Sequence, residues 1–185
     1  APATWGAHSL SITIEPHHVG DLFHIGFQTQ ATLFTPSGMF YDNVAFGPAI
    51  GVSYCTSSAN STGNASVMSA IGSPSLTAAN LVLSASHIPP GEFGLLYCGP
   101  NQGSIPFGNG TRCVTSGVNG TVRLQVVQES GGQTNYAVDF GIHGANLAMI
   151  NAETGTTNFQ CWYRDPTGGG AGFDLSDGYS IAFQP

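Results

Sequence analysis

The sequence predicts an all-β protein, an antiparallel β-sandwich of jelly-roll or immunoglobulin-like topology stabilised by disulfides. Three observations predict it. Apolar residues recur with period two over many short windows, and no window carries a convincing 3.6 period. Turn signals rich in Gly, Pro and Asn separate those windows roughly every 8–12 residues. Four cysteines, Cys55, Cys98, Cys113 and Cys161, form an even set without a C-x-x-C pair, which favours two disulfides in an oxidising compartment.

The strand candidates follow in chain order. HSLSITIEP (8–16) places Leu10, Ile12 and Ile14 on one face, and LFHIGFQTQATLF (22–34) is a long second candidate. NLVLSASH (80–87), EFGLLYCG (92–99), GTVRLQVVQES (120–130), TNYAVDF (134–140), NFQCWYRD (158–165) and GYSIAFQ (178–184) complete the set. In the last, Tyr179, Ile181 and Phe183 share a face. PPGE, GPNQG, GNGT, VNGT, ESGGQ and GGGAG supply the turns. Only ANLAMINA (145–152) reads as a helical turn, and CTSSANSTGNAS (55–66) reads as a polar loop.

Composition narrows the function. Charged residues make up 7% of the 185, against roughly 25% in ordinary soluble proteins. Lysine is absent, the arginines are Arg112, Arg123 and Arg164, and the net charge is −7. No basic footprint for nucleic acid or an anionic membrane is available from such a set. No apolar run approaches the length of a membrane span. A surface of small neutral polar groups suits extracellular proteins that pack against copies of themselves or carry glycans. The opening APATW carries no charged-plus-apolar leader, as expected of a mature form whose signal peptide has been removed.

Three cysteine connectivities exist. The expected one joins Cys98 to Cys113 across a Gly/Pro/Asn loop and Cys55 to Cys161 between distant strands. Closing the shorter loop would stabilise by roughly 3 kcal/mol. A zinc site from these cysteines lacks the paired spacing such sites use. Four N-x-S/T acceptors stand at Asn60, Asn64, Asn109 and Asn119 and are the glycosylation candidates.

Several motifs together resemble a known family. They are a Cys followed by NSTG, then NLVLSASHIPPGEFGLLYCGP, IPFGNGTRCV, and the ending NFQCWYRDPTGG…FDLSDGYSIAF. From about residue 50 to the end, the chain is similar to a β-rich C-terminal domain that recurs in secreted and cell-surface proteins of planctomycete-type aquatic bacteria. The resemblance implies an appended extracellular domain without an established activity. It divides the chain into an N-terminal strand segment, 1–46, and a sandwich domain, 47–185. Strand 8–16 lies outside the resembling part and is a candidate for donation to a neighbouring copy, where it would complete an open sheet edge.

Candidate chemistry is sparse. No G-x-S-x-G elbow, H-E-x-x-H, P-loop or dinucleotide fingerprint is present. His17, His18 and His24 with Asp21 contain metal-ligating types, but neighbouring histidines on a strand point apart. Glu15, Glu92, Glu129 and Glu153 stand at strand ends or turns rather than as the facing pair that glycoside hydrolysis needs. Trp5, Tyr41, Trp162 and Tyr163 are the available aromatic platforms for a sugar. Asp165, Asp174 and Asp177 offer hard oxygens for calcium, yet their spacing matches no calcium loop and Arg164 would compete with a cation. The expectation for this group is a structural lock, Arg164 against the aspartates, with Asp177-Gly178 turning into the last strand.

The sequence is thus read as a secreted structural subunit, without cofactor or catalysis. It self-assembles with its own copies into an extracellular fibre or surface layer by N-terminal strand exchange. The alternative is a non-catalytic carbohydrate-binding module, with glycans as partners. Neither nucleic acid nor membrane insertion enters either reading.

Overall fold

Alternation along one strand organises the domain. In a computed structural model of the chain, residues 50–185 are described. The candidates over 8–16 and 22–34, with Leu10, Ile12 and Ile14, lie outside the described residues, as do Trp5, Tyr41, Glu15, Asp21 and the three histidines of 17–24. The central strand is β9, Thr157–Arg164. Its odd-numbered side chains, including Phe159, Cys161 and Tyr163, enter the hydrophobic core. Its even-numbered ones, Asn158, Gln160 and Trp162, point to the opposite face.

Around it an antiparallel sheet runs β1 (Val52–Tyr54), β11 (Gly178–Ile181), β9, β4 (Phe93–Gly99) and β7 (Val122–Gln128). The short β10, Phe173–Leu175, continues beside β9, opposite its C-terminal half. A second antiparallel sheet has the order β2 (Val67–Ile71), β3 (Val82–Ser86), β8 (Gln133–Ala137). Met68, Leu83 and Ala85 from this sheet meet Leu96, Phe159 and Ile181 from the larger one in a shared core. The domain is therefore mostly antiparallel sheet in a sandwich-like arrangement. The strands expected over 80–87, 92–99, 120–130, 134–140, 158–165 and 178–184 are β3, β4, β7, β8, β9 and β11. Tyr179, Ile181 and Phe183 are all buried, as their shared face requires.

The helix is longer than its sequence signal. A turn was expected over 145–152, but α1 runs Phe140–Thr154 and takes the end of the strand expected over 134–140. Asp139 caps it by accepting from the Ile142 N–H, and Gly155, at φ 79°, closes it by donating to the Asn151 carbonyl. Leu147 and Ile150 dip into the core. Gly141 and Gly144 dilute the periodicity and lower helix propensity, which hides the element from pattern reading.

The outer face of the large sheet is covered by a hairpin, β5 (Asn101–Phe107) and β6 (Gly110–Thr115). The chain crosses from β4 at Gly99, where a Cβ would stand 2.7 Å from the Thr115 carbonyl oxygen. At the tip, Gly108 has φ 64° and lies under the Phe173 ring, 2.2 Å from where a Cβ would be. Only glycine satisfies both conditions there.

The disulfide pairing differs from the expectation. Cys55 is bonded to Cys113, with Cα atoms 6.0 Å apart, and Cys98 and Cys161 are buried free thiols. The large sheet separates the four residues into two pairs. Cys113 lies on the covering hairpin, whereas Cys98 on β4 and Cys161 on β9 point into the core on the other side. Neither Cys98–Cys113 nor Cys55–Cys161 can form through a sheet. Burial pushes both thiols up to about 12.

Candidate functional site

Between hairpin and sheet lies a cleft of about 470 Å³, within the range of roughly 300–1,000 Å³ common for small-ligand sites. The sheet contributes Leu95 and Tyr97 from β4 and Trp162 from β9, which the β4–β9 register places side by side: Leu95 opposes Trp162 and Tyr97 opposes Gln160. Arg123 enters from β7, and Arg112 and Val114 from the hairpin. Thr115, Ser116 and Thr121 line the wall. At one end Trp162, Phe173 and Phe107 form an aromatic row, with ring centroids 5.4 and 5.3 Å apart.

One buried glutamine holds the hairpin at its distance. The Gln160 amide donates to the carbonyls of Thr111, at 2.8 Å, and Ser176, at 2.7 Å. Its oxygen accepts from the Cys113 N–H at 2.9 Å and from the Tyr97 hydroxyl. Asn158 adds a second tie, accepting from Gln102 and donating to Pro100. Burial raises the Tyr97 hydroxyl above its ordinary value, with the Arg112 charge acting against that rise. Among the described residues the Arg112 Nε is buried without a hydrogen-bond partner.

The aspartates do something other than the expected lock. Arg164 reaches Glu92 at 3.8 Å, both side chains partly exposed, an arrangement worth little in water. Asp165, Asp174 and Asp177 instead clamp the 55–66 loop and its flanks. Asp165 accepts from the Ser61 N–H at 2.9 Å and caps a single 3-10 turn, Pro166–Gly168. Asp174 accepts from the Ser58 hydroxyl at 3.0 Å, and Asp177 from the Met68 N–H at 2.6 Å. Their oxygens are committed to separate points on that segment, and among the described residues no cluster of three such ligands converges.

Burial raises the Asp174 and Asp177 carboxyls above 3.8. The stability this confers is complete below that value and is lost as pH rises through the folded-state values. Asp177→Asn removes the titration while keeping the shape. Its urea midpoint relative to the parent is therefore expected to rise between about pH 4 and pH 7. A relative midpoint that stays flat or falls would contradict this assignment.

The glycosylation candidates divide in two. Asn60 is buried, its amide nitrogen donating to the His87 carbonyl at 2.6 Å and to the Tyr163 hydroxyl at 3.1 Å. Asn109 bridges the glycine-rich loop, donating to Gly169 and accepting from Ala171, both at 2.9 Å. A glycan on either nitrogen would displace structural bonds. Asn64 and Asn119 are exposed. Glu129 and Glu153 are turn caps, accepting from Gly91 at 2.7 Å and Val118 at 2.8 Å.

Of the aromatic candidates described, Tyr163 belongs to the core and Trp162 to the cleft. Reading the sequence missed Tyr97, Arg112, Arg123 and Gln160. The available signal was the scarcity of cations: two of the three arginines lie on the hairpin and on the neighbouring β7. No protein-family model matches the chain, and neither a curated protein nor a solved structure does.

Proposed function

We propose that the chain is a non-catalytic extracellular module that binds a saccharide in the cleft beneath the β5–β6 hairpin. The observation that carries this reading is the cleft itself, which Trp162 and Tyr97 line beside the small polar residues Thr115, Ser116 and Thr121. Apolar faces with a few convergent polar groups are the usual composition of a small-ligand site. The Cys55–Cys113 bond supports a non-cytoplasmic address, and no described helix is long and apolar enough to cross a membrane. Kinship with the planctomycete-type C-terminal domain is proposed on the same footing, and would make the module an appendage of larger surface proteins.

Trp162→Ala is expected to cost about 2 kcal/mol of binding, the size of a buried aromatic anchor. Glycan-array binding of the full chain and the variant measures it. A variant that binds its glycans as the parent does would overturn the assignment of this cleft.

Self-assembly by strand exchange stands as a second reading, favoured by one observation. Among the described residues, strand β7 is an edge of the large sheet, seven residues long, with Val126 54% exposed. A sheet edge of that length can accept a strand such as 8–16. Filaments that vanish on deleting residues 1–16, seen by negative-stain microscopy, would support it; a monomer at all concentrations would sink it.

A further inference from the structure

We infer that the ligand of the cleft is a saccharide carrying a single carboxylate, a uronate-type unit on an otherwise neutral glycan; this rests on the saccharide-binding reading above. The chain has three cations among 185 residues. Two of them, Arg112 and Arg123, line this one cleft, and among the described residues no acid lines it. Among the described residues neither arginine forms an ion pair, and the only pair recorded there is Arg164 with Glu92.

A buried guanidinium nitrogen without a partner is costly unless an acceptor arrives from outside. The Arg112 Nε is such a nitrogen, and its residue lines the cleft together with Tyr97, Phe107 and Trp162. A carboxylate satisfies guanidinium geometry with two parallel bonds. The ring bearing it would lie against Trp162 or Tyr97, with its hydroxyls toward Thr115, Ser116 and Thr121. Beyond the cleft the net charge of −7 repels a long polyanion. That field favours one acidic unit seated between the arginines over a tract of them.

The test is calorimetric titration of the full chain with three probes: xylotetraose bearing one glucuronic acid, plain xylotetraose, and polygalacturonate. The acidic oligosaccharide is expected to bind at least about tenfold tighter than the neutral one, the worth of one charge-assisted contact. Arg112→Gln and Arg123→Gln should each abolish that margin, and about 0.5 M salt should shrink it. Arg123 is exposed, so its variant folds even where Arg112→Gln does not. Equal binding of both xylotetraoses overturns the carboxylate inference and leaves the saccharide reading standing. No binding of any probe at millimolar concentration overturns both. Tighter binding of polygalacturonate, or of an Asp/Glu hexapeptide used as a control, overturns the single-carboxylate saccharide.

Discussion

Replacing Cys55 or Cys113 with alanine is expected to lower the unfolding free energy by roughly 4 kcal/mol. The bond closes a sequence separation of 58 residues, and chain entropy makes such long loops the most stabilising to close. It also fastens the β1–β2 loop to the hairpin that roofs the cleft, so the loss reaches the site. The pairing gives the measurement a control. Cys98→Ala and Cys161→Ala remove only buried sulfur and should cost the roughly 1–2 kcal/mol of a small cavity. Urea unfolding with and without reductant separates the cases. Reductant should weaken the parent and the Cys98→Ala, Cys161→Ala double variant alike, and leave Cys55→Ala unmoved. A double variant insensitive to reductant would place the bond elsewhere.

Gln160→Leu is expected to cost on the order of 3–4 kcal/mol. The side chain is fully buried and makes four hydrogen bonds, to Thr111, Ser176, Cys113 and Tyr97. Leucine conserves most of the volume, so packing is nearly retained while four partners lose their mate. The Cys113 N–H and the Ser176 carbonyl would be stranded away from water. Because those bonds set the spacing of hairpin and sheet, saccharide binding should fall together with stability. Asn158→Leu on the same face loses its bonds to Gln102 and Pro100 and should show a milder form of both effects. A Gln160→Leu chain with the parent's urea midpoint would show that the hairpin is held by the disulfide alone.

The strands of the two main sheets were largely legible because period two is a local property. Leu83 and Ala85, or Tyr179 and Ile181, announce their face within a few residues. Strands β1, β2 and β10 were not singled out, being short or weakly alternating, with Val67 and Ile71 at β2's ends exposed. The helix escaped because its caps, Asp139 and Gly155, stood around a glycine-diluted pattern. The site was hardest to read. Trp162 was a candidate, but Tyr97, Arg112 and Arg123 come from three strands distant in sequence, and Gln160 resembles any polar residue of an alternating strand.

The amino-acid sequence by itself determined where chain becomes strand, where it turns, and that its few cations are exceptional, since these follow from neighbours along the backbone. The tertiary structure alone decided which face of the large sheet each residue occupies and what covers that face. Alternation separates Cys98 from its neighbours on β4, but only the hairpin folding over the opposite side assigns Cys113 to Cys55. By the same step, the aspartates near the C-terminus became clamps on a loop a hundred residues earlier. Long-range pairing of this kind is set by the burial of whole surfaces, and no local window of sequence contains that information.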